Sequence, residues 1–225
     1  MKKTSTVVAP ISPSAEKDIN SVRLSSSVTV ERYRAMELAE DRNGLARFIH
    51  ERLVERYALP LSLSCRKNGF SMMAASCLLI ETLESFYRGW GDTSNRMKPS
   101  DIDPTCRPVD PKRTTVSMSE VAFCYFFQRF SRFASLQPFA QTFYVNVRCG
   151  ILHQGETAGG WRVLRKGTLF DSNKHAVNAE IFLKEVGSAV EVYAATLLQT
   201  KWDDDLWLNF KNKMNVIIKH CLPNP

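Results

Sequence analysis

The chain has 225 residues, 44% of them hydrophobic and 24% charged, and 30 Lys+Arg against 23 Asp+Glu give a formal net charge of +7 and a pI of about 9.2. That length suits a single domain, the apolar fraction excludes a fully disordered chain, and no apolar run approaches the roughly 18 residues of a membrane-spanning helix. Lys2 and Lys3 precede only Val7-Val8-Ala9 before Pro10, so no secretory signal is expected; six cysteines without a C-x-x-C pair and four scattered histidines argue against a zinc cage or disulfide framework and for a reducing cytosol.

Residues 1–28 are Ser/Thr-rich and aperiodic, which predicts a mobile arm. Residues 29–222 then form one domain. Positions 30–57 are helical with a break at Asn43-Gly44; beyond it Leu45, Phe48, Ile49, Leu53 and Tyr57 share one face, and Pro60 ends the element. A second helix over 68–88 has a wide apolar face carrying Met73, Cys77, Ile80 and Tyr87 beside Leu79, Leu83 and Phe86. The Gly- and Pro-rich stretch 89–116 reads as a long surface connection. Ser117-Met118-Ser119-Glu120 has the form of a capping box opening a third helix. Phe123, Phe126, Phe127, Phe130 and Phe133 follow as an aromatic row; stacking of bases is conceivable there, but core packing is the stronger expectation, and Cys77 and Cys124 read as small buried hydrophobes. After Pro138 a fourth helix places Phe139, Phe143, Val147 and Ile151 every four residues and ends near Gly155. Residues 159–171, around Lys166-Gly167, predict a short β-hairpin. Helices over 175–199 and from Asp203-Asp204-Asp205 to Lys219-His220 close an all-α bundle of about five to six helices with one small hairpin.

The excess positive charge is uneven. Its densest block, 148–175, holds Arg148, Arg162, Arg165, Lys166 and Lys174 against Glu156 and Asp171. Such a block is either a solvated loop region or a surface that meets phosphate, and charge alone does not separate the two. Within it, Arg148 and His153 stand five residues apart, which on an α-helix is about 140° of rotation and about 7.5 Å of rise. They can converge on one ligand if the helix loosens at Gly150, which weakens a helix by up to about 1 kcal/mol relative to Ala. An arginine can fork onto phosphate oxygens, and a histidine can take or give a proton near neutrality, at a ribose 2′-OH or a leaving oxygen. Asn146 and Gln154 are placed to hold the imidazole or the substrate, and the chemistry needs no metal or other cofactor. With 17 Arg and 4 His in the chain, chance supplies about one such pair, so the surrounding residues must carry the argument. The competing structural reading is a helix-end histidine capping carbonyls and an arginine in a surface salt bridge.

The run Val147-Arg148-Cys149-Gly150-Ile151-Leu152-His153-Gln154-Gly155-Glu156 resembles the "aRNgllHqge" signature of the HEPN superfamily, small helical bundles with R-x(4–6)-H at the end of a late helix. The helix carrying Leu78-Leu79-Ile80-Glu81-Thr82-Leu83-Glu84-Ser85-Phe86-Tyr87 is similar to the bundle helix that packs against it. The resemblance implies a metal-independent endoribonuclease acting as a homodimer, commonly a toxin or defence effector with a cognate antitoxin or nucleotidyltransferase-type partner. By it Arg148 stabilises charge on phosphorus, His153 is the acid/base, and RNA runs along Arg162, Arg165 and Lys166. Glu81 is similar in position to an acidic residue that some members hold near the site, although Cys77, Glu84 and Ser85 around it equally suit a solvated face. One departure is Cys149, where the family usually has Asn, Asp or His. A thiol hydrogen-bonds weakly, which keeps open a non-catalytic module that binds RNA or nucleotide, or a helical interaction subunit.

Overall fold

The computed structural model describes residues 19–62, 68–108, 110 and 112–222, and most of these are helical. α1 (Val30–Leu38) leads into α2 (Arg42–Leu53), which continues through a π-helical segment, Val54–Ala58, and a last turn, Leu59–Ser62. α3 (Gly69–Arg88) follows, then β1 (Arg96–Met97), β2 (Val116–Ser117) and α4 (Met118–Arg129). A 3₁₀ stretch, Ser131–Phe139, and an α-turn, Ala140–Phe143, run into a π-helix, Tyr144–Gln154. β3 (Arg162–Leu164), β4 (Phe170–Asp171) and β5 (Ala176–Asn178) precede α5 (Ala179–Gln199) and α6 (Asp205–His220). The fold is a helical bundle with two small sheets, in line with the expected all-α class. No helix among the described residues is long and apolar enough to cross a membrane.

α3 is the central helix. It packs on α5, α6 and α4, while α5 also packs on α2. Met73, Cys77, Ile80, Leu83 and Phe86 are fully buried along it, at the three- and four-residue spacing that keeps one helical face inward. Phe123, Phe126, Phe127 and Phe133 are likewise buried and meet Phe143 and Phe182, with Phe127–Phe143 ring centroids 5.3 Å apart. The aromatic row is therefore core packing, and each buried ring adds about 1.5–3 kcal/mol of transfer free energy. Trp207 closes the far side, its indole N–H donating to the Leu197 carbonyl at 3.0 Å.

Several expectations are corrected. Residues 1–18 of the expected mobile arm lie outside the described residues, but 19–28 are part of the fold. Ile19, Leu24 and Val28 are buried, and the Arg52 and Arg56 guanidiniums donate to the Leu24 carbonyl. Apolar residues among serines were enough to seat this segment. The break after α1 comes earlier than Asn43-Gly44: Asp41 caps α2, accepting the Gly44 amide at 2.9 Å, so both residues lie in its first turn. Pro60 does not end the element but sits within its last turn, Leu59–Ser62.

The connection 89–116 is not a bare surface loop. It carries β1 and two 3₁₀ turns, Pro99–Asp101 and Pro104–Cys106, and a second apolar cluster of Ile102, Cys106, Val116, Val121 and Tyr125. A disulfide joins Cys106 to Cys124, against the expectation that none would form; Cys124 is a half-buried cross-link, whereas Cys77 is the buried hydrophobe expected. The capping box does not form either. The Met118 and Ser119 amides donate to Asn95 and Thr93 carbonyls at 2.9 and 3.1 Å, so the connection supplies the acceptors, and Glu120 pairs with Arg113 instead. The expected hairpin is also absent: β5 lies between β3 and β4, parallel to the first and antiparallel to the second. Ala176-Val177-Asn178 form a strand, so the helix expected over 175–199 begins at Ala179.

Candidate functional site

The Arg148–His153 segment is π-helical along its whole length. A π-helix bonds each residue to the one five away, so residues five apart stack on one side where an α-helix would splay them. Arg148 and His153 therefore share a face. The winding has a visible local reason. Gly150 is buried against the chain that folds back after the helix, and a Cβ there would stand 2.5 Å from the Glu156 carbonyl oxygen. That return is fixed by the Ala158 amide donating to the Asn146 carbonyl at 2.9 Å. Gly155, in the left-handed region at φ 69°, turns the chain out of the helix. Gly150 thus permits a close backbone approach as well as the loosening expected of it.

Arg148 points inward. Its Nε donates to Glu81 Oε1 at 2.7 Å and its Nη2 to Oε2 at 3.1 Å, a forked pair with α3. The two side chains are 15% and 7% exposed, which excludes a surface salt bridge for Arg148 and a solvated face for Glu81. Ser119 Oγ at the start of α4 also donates to Glu81 Oε2, at 2.8 Å, and the Tyr144 ring lies 5.5 Å from the Arg148 guanidinium carbon. Burial alone would lower the pKa of Arg148, but the hydrogen bonds and charge of Glu81 outweigh it and hold the guanidinium above its ordinary value. It is a permanent cation with its own counter-ion. Nη1 makes no hydrogen bond to any described residue.

His153 is exposed, and its ring makes no hydrogen bond among the described residues, so it caps no carbonyl. Cys149 is half-buried, Gln154 exposed, and the half-buried Asn146 amide is held against the backbone of Gly159, whose Cβ position is 2.9 Å away. Among the described residues neither Asn146 nor Gln154 hydrogen-bonds the imidazole. Val145 and Leu152, 52% and 37% exposed, leave an apolar rim on this helix.

The basic block divides. Arg148 is paired with Glu81, Arg165 with Glu180 and Lys174 with Asp171. Arg162 and Lys166 are exposed and form no ion pair with a described residue. Arg165 and Lys166 line a cleft of about 720 Å³ with Phe70, Val163 and Leu164, and Arg165 and Glu180 border another of about 510 Å³ with Met72 and Lys184. Neither cleft is lined by Arg148 or His153: the structure brings Arg148 to Glu81, leaves His153 exposed on the same π-helical segment, and sets Arg165 and Lys166 at clefts that neither of them lines. Among the described residues no group of three or more His, Cys, Asp or Glu could hold a metal ion.

Ser119 was missed as a candidate, as was the neighbouring network in which Glu84, wholly buried, pairs with Arg88 and Arg129. Two glutamates three apart in an otherwise apolar 20-residue helix were the available signal, since a carboxylate there requires a partner. No family model, curated protein or solved structure matches this chain.

Proposed function

We propose that the chain is a metal-independent endoribonuclease of the HEPN type, working as a homodimer. The observation that carries this reading is the π-helix, which sets Arg148 and His153 on one face while Glu81 fixes the arginine from behind. Nη1 of Arg148 then faces a non-bridging phosphate oxygen, where a cation held in place stabilises developing charge without reorganising. His153 removes the proton of a ribose 2′-OH, the 2′-oxygen attacks phosphorus, and the 5′-oxygen leaves with a proton from the imidazole of the second copy. The products are a 2′,3′-cyclic phosphate and a 5′-hydroxyl. Val145 and Leu152 are exposed apolar side chains on this helix that contact with a second copy would cover. Arg162 and Lys166 are the cations left to receive the RNA backbone.

The test is incubation of purified protein with tRNA or mixed RNA in EDTA. Cleavage is expected, and Arg148→Ala and His153→Ala should each abolish it. Cleavage that survives in both variants overturns the assignment.

A second reading rests on one observation: the fork of Arg148 is occupied by Glu81, which leaves fewer donors for phosphate than a free arginine has. On that reading the chain is a non-catalytic module that binds RNA weakly, with a shallow salt dependence reporting few phosphate contacts, and no cleavage occurs under any condition.

A further inference from the structure

The 89–116 connection, the cross-link that holds it and the buried ion pair form one continuous chain of contacts. Among the described residues its buried apolar side chains are few, Ile102, Cys106 and Val116 packed on Val121 and Tyr125 of α4, and its helical turns are three residues long. Its backbone nevertheless supplies both acceptors for the first amides of α4, Asn95 for Met118 and Thr93 for Ser119. The Ser119 hydroxyl lies 3.0 Å from the same Thr93 carbonyl and 2.8 Å from Glu81, which holds Arg148. The position of the connection therefore sets the position of Ser119, and Ser119 touches the carboxylate that aims Arg148.

Side-chain ties fasten the connection to α4. The Asp103 amide donates to Tyr125 Oη at 2.9 Å, the Gln128 side-chain amide donates to Thr105 Oγ1, Arg113 pairs with Glu120 at 2.6 Å, and Cys106 is bonded to Cys124. The hydrogen bonds and the ion pair are polar contacts for which water competes. The disulfide is covalent, and it closes an 18-residue separation that spans the amides in question. Both cysteines, Cys106 buried and Cys124 half-buried, line a cleft of about 150 Å³ together with Thr105, Pro108 and Gln141, and this cleft is the approach open to a small thiol.

We propose that the Cys106–Cys124 disulfide is a thiol-exchangeable clasp that keeps the Glu81–Arg148 pair in place through the N-terminus of α4. The co-reactant is a small dithiol. Its thiolate attacks one sulfur and releases the other cysteine, and its second thiol then closes a cyclic disulfide on the reagent and frees the remaining cysteine. Two electrons and two protons pass to the protein, which gains two thiols, and the reagent leaves oxidised. With the bond open, the connection is held by its small cluster, its polar ties and the two-residue β1–β2 pairing, the Met118 and Ser119 amides exchange faster with solvent, and Arg148 loses its fixed aim.

The test uses the full-length oxidised protein and no RNA, so its outcome is separate from that of the cleavage assay. Alkylation followed by mass spectrometry should leave Cys106 and Cys124 unlabelled before dithiol treatment and label both after it. Hydrogen exchange at Met118 and Ser119 should then accelerate at least 10-fold while α5 and α6 amides stay protected. In parallel the Arg148 Nε–H resonance, assigned by its disappearance in Arg148→Lys, should broaden or vanish. A Cys106→Ser/Cys124→Ser variant should resemble the reduced protein, and Cys221→Ser the oxidised one. Labelling of both cysteines before reduction overturns the proposal. So does reduction that leaves the two amides and the resonance unchanged, or that strips protection from α5 and α6 as well, which would make the bond a general staple.

Discussion

The Glu81 carboxylate accepts two hydrogen bonds from Arg148 and one from Ser119, all in a nearly dry setting. Glu81→Ala leaves the guanidinium without a counter-ion, and urea titration should show the unfolding free energy falling by about 3–5 kcal/mol. A joint Glu81→Met and Arg148→Met change should recover most of that loss, because no buried charge then remains. A double variant as unstable as the single one would show that the pair is not the source. Arg148 and His153 were readable in the sequence because a ten-residue run surrounds them. The environment of Glu81 was not, since its partner comes 67 positions later and Ser119 comes 38 later. Glu84 turns inward to Arg88 one turn on and to Arg129, 45 positions later and not legible locally, while the buried Ser85 hydroxyl simply donates back to the Glu81 carbonyl.

At the level of elements, the π-helix is the feature on which the site depends. Gly150→Ala places a methyl group against the Glu156 carbonyl, and the return segment must move. Thermal unfolding of that variant should show a loss of about 1–3 kcal/mol, the usual range for an overpacked position, and RNA cleavage should fall because His153 follows the displaced helix end. Unchanged melting would mean that the segment yields freely. The helix itself was visible in the sequence but its winding was not: the four-residue recurrence of Phe139, Phe143, Val147 and Ile151 suits an α-helix as well, and only the last two lie in the π-helical segment. The β-hairpin failed for a different reason. A three-residue strand abutting a 21-residue helix has no period of its own, so only the pairing partners β3 and β4 define it.

For the whole molecule, the bundle core followed from helical periodicity, whereas the segment 19–28 and the connection 89–116 did not. Both are short apolar anchors set among Ser, Thr and Pro, and their burial depends on surfaces contributed by distant helices. Removing residues through 28 should lower the melting temperature by about 10 °C or more, since it uncovers the sites of Ile19, Leu24 and Val28 and strands the Arg52 guanidinium. A melting curve within a few degrees of the full chain would show that this segment is dispensable.

α3 carries two buried carboxylates, and three guanidiniums from different stretches of the chain converge on them. A hydrophobic face tolerates sliding, because one leucine can stand where another did. Charged groups do not. A one-residue slip of α3 turns each carboxylate by about 100°, away from Arg148 and Arg129 on the neighbouring elements, and leaves Glu84 only Arg88 of its own helix, so the misaligned packing is strongly disfavoured. Glu81 and Glu84 therefore work as the teeth of a key: they add little to the depth of the native state, but they reject the compact alternatives in which a long, greasy helix sits out of step with its neighbours.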